Sequence, residues 1–500
     1  MRAATGIKGA VLYGAVFLAQ ALQPNICAES ALKTIFFGPS DLEKPRNLSQ
    51  PTFKPINGDV PVIVPRAEHP VSRSQISPYA LKVLYRLKDA GFQGFLVGGA
   101  VRDLLLGVIP KDFDIATDAH PEQVKQLFRN CRLIGRRFHL AHVRFGDEII
   151  EVATFRAAHT PIDDDNSVDE GGHRVLDAHG RILRDNLYGH IDEDVWRRDF
   201  TANALYYSIQ DFSIWDYVGG FADARARVLK LIGDPETRYH EDAVRMLRAV
   251  RFAAKLDFSI HPATAEPIAR LAGMLDGIPP ARLFDEVCKL FLAGFAERAF
   301  DLLIHYQLLE HLLPSTARAV ANQSSSNAVR LVRLGLQGTD TRVAQDKSVT
   351  PTFLFAVLLW PAIKASFEAS ADAAQNEGQA WYQACEHVVA QQQRRVAVPK
   401  RFTVPMTELI ALQPRFERRD GRRALRLLEH PRFRAAYDFL LLRAAAGEAD
   451  AASAEWWTHI QTLAPQERID LIEGAPVSAA SSDAPKRRRR RRKRAAAPQS

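Results

Sequence analysis

The spacing of hydrophobic residues changes along the chain and separates a mixed α/β part from a helical part. In residues 77–91 apolar side chains recur every three or four positions, which predicts a helix with Ser77 as its N-cap, Pro78 in its first turn and Gly91 at its end. Short apolar runs bounded by glycine or aspartate predict strands at 94–97, 112–117, 138–146 and 147–156. Short helices are predicted at 101–107 and 120–128.

Helical spacing dominates further along the chain. Residues 192–208 are predicted to form one helix, and residues 234–258 a second, strongly amphipathic one. The apolar side of the second helix consists of Val244, Leu247, Val250 and Ala254. From about residue 240 onward no β pattern of comparable strength occurs. The pattern predicts an α/β head followed by an elongated, all-α neck and body.

A chain of 500 residues is too long for one compact domain, so several segments are expected. We predict a flexible N-terminal extension (1–65), a head (66–208), a neck (209–270), a helical body (271–475) and a disordered basic tail (476–500). Within the head, the polar, Gly- and Asp-rich residues 157–190 predict a mobile loop.

Positive charge is concentrated in the predicted tail. The net charge is +8, and residues 486–494 (KRRRRRRKR) are all basic, so the rest of the chain is close to neutral. A run of this kind attracts nucleic-acid phosphates without regard to sequence. It can also be a generic solubilising extension.

The cysteine spacing and one apolar segment indicate the cellular compartment in which the protein is expected. The four cysteines are far apart and form no C-x-x-C pair, which argues against a cysteine zinc site and a disulfide framework and favours a reducing compartment. The apolar run at 9–22 resembles a signal-peptide core but is short for a membrane span. We expect a cytoplasmic protein with no integral membrane role, in which residues 1–65 are a leader, a functional extension or a mis-assigned start.

Two aspartates, Asp112 and Asp114, lie one residue apart at the start of a predicted strand. Side chains two positions apart on a strand share a face, so these carboxylates should project together while Phe113 packs inward. Adjacent carboxylates repel unless a cation neutralises them, and Mg²⁺ prefers such oxygen ligands. The alternative is a merely polar strand end.

A glycine pair upstream favours the metal-binding interpretation of Asp112 and Asp114 over that of a merely polar strand end. Gly98 and Gly99 follow a predicted strand and open a helix, so their backbone N–H groups can hold a triphosphate. Arg102, one helical turn later, can add positive charge. A phosphate cradle together with metal-binding carboxylates is the minimum equipment for phosphoryl or nucleotidyl transfer.

The segment LVGGAVRDLLLGVIPKDFDI (96–115) resembles the head motif of the class II nucleotidyltransferases, the family of CCA-adding tRNA nucleotidyltransferases and bacterial poly(A) polymerases. The match is specific because the glycine pair, the arginine and the D-x-D occur in one fixed order. The resemblance implies a DNA-polymerase-β-like head, two Mg²⁺ ions held by Asp112 and Asp114, and addition of nucleotides to an RNA 3′ end.

Two further motifs extend the resemblance. RRDFTANALYY (197–207) resembles R-R-D-F-T-x-N-A, which binds ribose and phosphates in the family, and EDAVR (241–245) resembles E-D-x-x-R, which hydrogen-bonds the incoming base. From the residues alone, both could be charged, solvated helix faces. The resemblance implies these nucleotide-binding residues: Arg197, Arg198, Asp199, Asn203, Asp242 and Arg245.

A third catalytic carboxylate is also implied, and two residues compete for the role. Asp194 matches an acidic position that the poly(A) polymerase group treats as catalytic. Glu151 lies on a predicted strand after the D-x-D strand. The resemblance alone favours Asp194.

Two segments resemble the poly(A) polymerase branch rather than the CCA-adding branch: 67–87 and RLIGRRFHLAHV (132–143). The basic tail agrees, since an enzyme that extends varied RNA 3′ ends benefits from sequence-independent phosphate contacts. The predicted RNA-binding tail residues are Arg487, Arg488, Arg489, Arg490, Arg491 and Arg492.

The resemblance therefore implies a template-independent poly(A) polymerase that adds AMP from ATP to RNA 3′ ends, releases pyrophosphate and supports RNA processing and decay. RNA 3′ ends and ATP are the expected partners, with RNA-decay proteins as further candidates and a monomer as the favoured state. The alternatives are a CCA-adding tRNA nucleotidyltransferase and a non-catalytic RNA-binding adaptor on the same fold.

Overall fold

The computed structural model describes residues 60–135, 139–157, 188–322, 326–370, 377–419 and 421–473, and the backbone of 174–176 and 182–185. Most of the predicted extension 1–65, most of the predicted loop 157–190 and all of the predicted tail 476–500 lie outside these residues. No helix among the described residues is long and apolar enough to span a bilayer.

Eight strands of the head form one mixed sheet. They are β1 (Val62–Val64), β2 (Gly94–Val97), β3 (Asp114–Thr117), β4 (Cys131–Ile134), β5 (Leu140–Phe145), β6 (Glu148–Thr154), β9 (Leu205–Ser208) and β10 (Ile214–Asp216). Their order is β1-β10-β9-β2-β3-β6-β5-β4, and β3 and β6 are the parallel pair. Two small ribbons accompany the sheet: β7 (Arg174–Leu176) with β8 (Ile182–Asp185), and β11 (Val228–Leu229) with β12 (Ser259–Ile260). The sheet confirms the α/β head and includes strands on both sides of the predicted 66–208 range.

Five helices belong to this part of the chain: α1 (Pro78–Asp89), α2 (Gly99–Leu105), α3 (Pro121–Leu127), α4 (Ile191–Arg197) and α5 (Gly220–Arg225). The predicted start of α1 is confirmed, because the Ser77 hydroxyl accepts the Tyr79 N–H at 3.2 Å. Leu84 and Leu87 of α1 contact Gly94, so α1 covers one face of the sheet. The other face is covered near β2 and β9 by a buried cluster that includes Val195 of α4.

The single helix predicted over 192–208 is wrong. Helix α4 ends at Arg197, Arg198 is extended, a 3₁₀ turn follows at Thr201–Asn203, and Leu205–Ser208 is strand β9. All four residues of β9 are buried between β2 and β10. A strand buried on both faces shows no polar alternation, so its pattern cannot be told from that of a buried helix.

The single helix predicted over 234–258 is also interrupted. Helix α6 (Pro235–Glu241) ends at Asp242, which has extended backbone angles, and α7 (Val244–Leu256) follows. The predicted apolar side of α7 is confirmed, since Val244, Leu247, Val250 and Ala254 are buried.

The rest of the described chain is helical, as predicted, apart from the two-residue β12. The helices are α8 (Pro262–Leu271), α9 (Pro280–Phe291), α10 (Ala296–His305), α11 (Leu309–Leu312), α12 (Pro314–Asn322), α13 (Asn327–Ala344), α14 (Pro351–Glu368), α15 (Glu377–Gln392), α16 (Lys400–Ala411), α17 (Gly421–Leu428), α18 (Phe433–Ala446), α19 (Ala451–Thr462) and α20 (Pro465–Glu473). Contacts divide the described residues into two compact units, one of residues up to 366 with 386–404, the other of 367–385 with residues from 405 onward.

A buried carboxylate fixes the position of α5 next to the turn at 201–203. Asp216 accepts the backbone N–H groups of residues 218–221 at 2.9–3.1 Å and so orders the start of α5. Asp223 of α5 then accepts the Thr201 hydroxyl at 2.6 Å. Gly220 lies against the backbone carbonyl of Thr201, with no room for a Cβ atom.

We therefore expect Gly220→Ala to lower the stability of the head. The added methyl group would overlap a backbone carbonyl that is itself held in place, and overpacking of this kind costs about 1–3 kcal/mol. Thermal unfolding should show a lower melting temperature. Gly277→Ala is the control, because a Cβ at Gly277 would meet open space. Equal melting temperatures for the two variants would contradict the prediction.

Candidate active site

One row of side chains crosses all eight strands of the sheet in register. From edge to edge the row is Ile63, Trp215, Tyr206, Val97, Asp114, Glu151, His142 and Arg132. Residues paired in register point to the same face of a sheet. The row therefore brings Asp114 of β3 and Glu151 of β6 side by side, although they are far apart in sequence.

Asp114 has two neighbours of like charge, Glu151 and Asp112. Strand β3 begins at Asp114, so Asp112 precedes it, and Phe113 packs inward as predicted. Partial burial, followed by repulsion from Glu151 and Asp112, raises the pKa of Asp114 to about 6, while Arg198 acts in the opposite direction. A bound cation would remove this repulsion.

These carboxylates fit a magnesium site. Mg²⁺ at nucleotide sites commonly uses one or two carboxylates and takes its other ligands from phosphates and water. Among the described residues, no group of three or more His, Cys, Asp or Glu side chains is arranged to hold a metal ion by itself. The protein thus offers an aspartate pair beside a glutamate, and the rise in the pKa of Asp114 indicates that the cluster favours positive charge.

The glycine pair lies beside a guanidinium group. Gly98 has a φ of +71°, which favours glycine, and it turns the chain from β2 into α2. A Cβ atom at Gly98 would lie 3.6 Å from Nη1 of Arg198. The first turn of α2 and Arg198 therefore face the same small space, next to Asp114.

Arg198 is held in this position by two neighbours. Its Nε donates to the Tyr206 hydroxyl at 2.8 Å, and its Nη2 donates to Asp194 at 3.0 Å. Tyr206 also donates to Asp194 at 2.8 Å. Burial would lower the pKa of Arg198, but Tyr206 and Asp194 outweigh it and raise the pKa. Among the described residues, Nη1 makes no hydrogen bond, so it is available to a ligand.

Asp194 and Glu151 thus have different surroundings. The Asp194 side chain is 14% exposed and takes part in the partly buried contact with Arg198 and Tyr206. Glu151 is 43% exposed, with His142 Nε2 at 3.4 Å. Glu151 is the one that neighbours Asp114 in the sheet.

Arg102 is buried beneath the glycine turn. It is 2% exposed, and its Nε and Nη2 donate to Asp103 at 2.9 and 2.7 Å. Its Nη1 donates to the side-chain oxygen of Asn203. These contacts fix the relative positions of α2 and the 201–203 turn.

The remaining motif residues connect to α6 and α7. Asp199 accepts Nε–H donors from Arg245 at 3.2 Å and from Arg248. Arg245 also donates to Glu241 and to the carbonyl oxygen of Arg238, each at 2.7 Å. The carbonyl oxygen of Arg197, a half-buried residue, accepts from Arg238 at 3.4 Å.

Asp242 has a partner on a different helix from Arg245. Its carboxylate accepts Nη2–H of Arg282, in α9, at 2.6 Å. The extended backbone of Asp242 between α6 and α7 directs this contact. Asp242 and Arg245 of the E-D-x-x-R motif are therefore both bound to protein groups in this structure.

Several residues of the site were not identified from the sequence. Tyr206 and His142 enter it through strand register, and Arg248 and Arg282 enter it through ion pairs. The RRDFTANALYY segment included Tyr206, but no pattern indicated its contact with Arg198. The predicted RNA-binding arginines 487–492 lie beyond the described residues.

Three family descriptions match successive parts of the chain. They are "Poly A polymerase head domain" over residues 94–230, "Probable RNA and SrmB- binding site of polymerase A" over 257–320, and "Polymerase A arginine-rich C-terminus" over 373–495. Together they cover the head motif, the helical part and the basic tail.

Individual proteins agree with these matches. Poly(A) polymerase I of Escherichia coli O6:H1 is 50% identical over 410 residues, which are 81% of this chain and 87% of that protein. The CCA-adding enzyme of Lactobacillus helveticus is 36% identical over 231 residues, 46% of this chain and 54% of that enzyme. The likeness to the second therefore covers a smaller part of the chain.

A solved structure supports the fold. A "tRNA-processing enzyme (apo form I)" superposes with a TM-score of 0.54 at 19% identity, over 79% of this chain and 97% of that one. The head motifs, the mixed sheet with its helical continuation, and the extent of sequence identity all indicate the same family. The chain belongs to the poly(A) polymerase I family of template-independent polynucleotide adenylyltransferases.

Proposed function

We propose that this protein extends RNA 3′ ends with AMP taken from ATP, using Mg²⁺ and releasing pyrophosphate. One observation carries the proposal: Asp114 and Glu151 share one face of the sheet with the Gly98–Gly99 turn and Arg198 beside them. This arrangement supplies negative groups for metal ions and positive groups for a triphosphate within a single site. The identity to poly(A) polymerase I supports ATP and RNA as its substrates.

The reaction joins the RNA 3′ oxygen to the α-phosphorus of ATP and breaks the bond from that phosphorus to the oxygen bridging to the β-phosphorus. Held by Asp112 and Asp114, two Mg²⁺ ions would supply activation of the 3′-OH and neutralise charge on the departing pyrophosphate. The N–H groups of the first turn of α2 and Nη1 of Arg198 bind the triphosphate. Their fixed positions orient the α-phosphorus toward the aspartates.

We assign the third carboxylate to Glu151. Its register pairing with Asp114 and its effect on the pKa of Asp114 support this role. Asp194 instead positions Arg198, because its carboxylate is occupied by Arg198 and Tyr206.

Asn203 and Arg102 act as a unit below the triphosphate. The Arg102 guanidinium holds the Asn203 side-chain oxygen, so the Asn203 amide nitrogen remains to contact the nucleotide sugar. Arg102, being buried, contributes by positioning this amide.

The base is read by Asp242 and Arg245, whose carboxylate and guanidinium offer acceptor and donor groups to a base edge. Asp199 supports Arg245 through their ion pair. Because Arg282 holds Asp242, an incoming base must share or replace that contact. We place Arg197 at the rim of this site.

Other assignments follow from this function. The head (66–208) carries catalysis, the neck (209–270) reads the base, the body (271–475) and the tail bind RNA, and the enzyme works as a cytoplasmic monomer in RNA processing and decay.

A nucleotide-competition assay tests the function. RNA with a free 3′-OH, and tRNA lacking its terminal CCA, are each incubated with ATP, CTP or both in the presence of Mg²⁺. Long A tracts on both RNAs support the proposal. Efficient CTP incorporation that stops after the tRNA end is complete would favour a CCA-adding enzyme, and RNA binding without incorporation would favour an adaptor.

Arg198→Lys should raise the KM for ATP by about tenfold, with a smaller effect on kcat. A lysine ammonium cannot hold Asp194 and Tyr206 and still reach the space beside Gly98, whereas the guanidinium fork does both. Steady-state kinetics at saturating RNA measure the change. Arg86→Lys on α1, at an exposed site on the other side of the sheet, is the control. An unchanged KM would remove Arg198 from the triphosphate site.

Deletion of residues 486–494 should weaken RNA binding and flatten its dependence on salt. For single-stranded RNA, each phosphate that the protein no longer neutralises reduces the slope of log K against log salt by about 0.7. Binding is measured over a range of salt concentrations, and single-nucleotide addition at saturating RNA should be nearly unchanged. Deletion of the uncharged residues 495–500 is the control. Equal slopes for both deletions would exclude the tail from RNA binding.

A further inference from the structure

The in-register row that contains Asp114 and Glu151 continues past Glu151 toward the β4 edge of the sheet. Beyond Glu151 it consists of His142 on β5 and Arg132 on β4. The adjacent row, nearer the β5–β6 turn, contains Ile149 and Arg144 in register with each other. We call Arg132, His142, Arg144 and Ile149 the basic strip.

Strand alternation places the basic strip on the same face of the sheet as Asp114 and Glu151. Ile149 and Glu151 are two positions apart on β6. Ile150, which lies between them, and Val152, which follows Glu151, are buried. Arg144 and His142 alternate in the same way with the buried Val143. Side chains two positions apart share a face, so the strip and Asp114 lie on one surface.

Within the part of the chain that the structure describes, this surface is open. Ile149 is 48% exposed, and Arg132 and Arg144 are also exposed. Arg132 makes no hydrogen bond or ion pair with a described residue, and Arg144 uses Nε alone, to the carbonyl oxygen of Gly146. Unpaired guanidinium groups next to a cluster of carboxylates indicate a ligand that carries negative charge of its own.

The two ends of the site have different neighbours. Arg198 and the glycine turn lie on the β2 and β9 side of Asp114, where the triphosphate binds. The basic strip begins on the opposite side, at Glu151. An attacking 3′ oxygen must approach the α-phosphorus from the side away from the leaving pyrophosphate, which is the side of the strip.

We propose that the basic strip binds the last nucleotides of the RNA being extended, with Arg132 and Arg144 on backbone phosphates and Ile149 against a base. The spacing of strands in a sheet puts Arg132 about 14 Å from Asp114, three strands away. That distance spans a few phosphates of a single strand. The inference rests on the proposed function, and it adds the path of the RNA 3′ end.

The test uses the full-length Arg132→Ala/Arg144→Ala double variant and a short single-stranded RNA. We expect the KM for RNA to rise at least about tenfold and the salt slope of RNA binding to fall by about 1.4, while the KM for ATP and the rate at saturating RNA stay unchanged. Arg86→Ala is the control, since it removes an exposed arginine from α1 on the covered face.

A chemical change in the RNA separates the strip from the tail. Neutral methylphosphonate linkages near the 3′ end should weaken extension by the wild-type protein and have little further effect on the double variant. The same linkages near the 5′ end should affect both proteins equally. Coupling between the arginines and the 3′-terminal linkages is therefore the specific sign of the strip.

Two results would overturn the inference: an unchanged KM for RNA in the double variant, or an equal loss from the 5′ and 3′ modifications. Failure of the proposed function looks different, because wild-type protein would then not add AMP to any RNA. A melting temperature equal to that of the wild type excludes misfolding as the cause of a rise in KM.

Discussion

Asp114→Asn is expected to reduce AMP incorporation at least about 10³-fold while the protein still binds RNA. The substitution keeps the size of the side chain but removes one of the two aspartate charges offered to Mg²⁺. Loss of metal-assisted stabilisation of several kcal/mol corresponds to several factors of ten in rate. Incorporation of labelled AMP measures the effect, and Asp112→Asn should behave alike.

The same variant should be more stable than the wild type when no divalent metal is present. Burial and the charges of Glu151 and Asp112 raise the pKa of Asp114, which means that its ionised form is disfavoured in the folded protein. Above pH 6 that ionised form destabilises the fold, and the cost declines as the pH falls from about 6 toward the usual aspartate pKa. Asparagine avoids it, so the melting temperature at pH 7 should rise. Inactivity combined with a lower melting temperature would instead indicate misfolding.

Glu151→Gln and Asp194→Asn should separate the two candidates for the third carboxylate. We expect Glu151→Gln to lower the rate at saturating ATP about 10²-fold and to leave the melting temperature and the KM for ATP nearly unchanged. Glu151 is partly exposed and next to Asp114, so its charge acts on the reacting groups rather than on packing.

Asp194→Asn should behave in the opposite way. Removing its charge leaves the partly buried guanidinium of Arg198 without its ionic partner, which costs stability and loosens the group that faces the triphosphate. A lower melting temperature and a higher KM for ATP are expected, with a smaller loss of kcat. If Asp194→Asn instead lost all activity at a normal melting temperature, Asp194 would be the third carboxylate.

The sequence predicted the local chemistry of the site because that chemistry depends on short spacings. The D-x-D pair, the glycine turn and the helix at Ser77 involve neighbours within a few residues. The structure has the glycine turn, the Ser77 helix and Asp114 in the expected elements, whereas Asp112 precedes β3 and lies outside the strand predicted over 112–117. The family resemblance added the order of the motifs, and comparison with known proteins confirmed the family.

What the sequence could not predict depends on long-range pairing. Strand β9 looked helical because burial on both faces removes alternation. The break at Asp242 accompanies its ion pair with Arg282 in a separate helix, and no local pattern contains that partner. Burial of Arg102 and pairing of Glu151 with Asp114 are likewise set by tertiary structure.

The in-register row has a consequence for how correct refolding of the protein is measured. A slip of one residue between β3 and β6 would turn Asp114 or Glu151 toward the core and bring an apolar neighbour to the surface in its place. Such a misfolded protein would retain nearly all of its secondary structure yet have no catalytic carboxylate pair. Recovery of activity after denaturation is therefore a stricter measure of correct strand alignment than circular dichroism, and it would detect misregistered molecules that spectroscopy counts as folded.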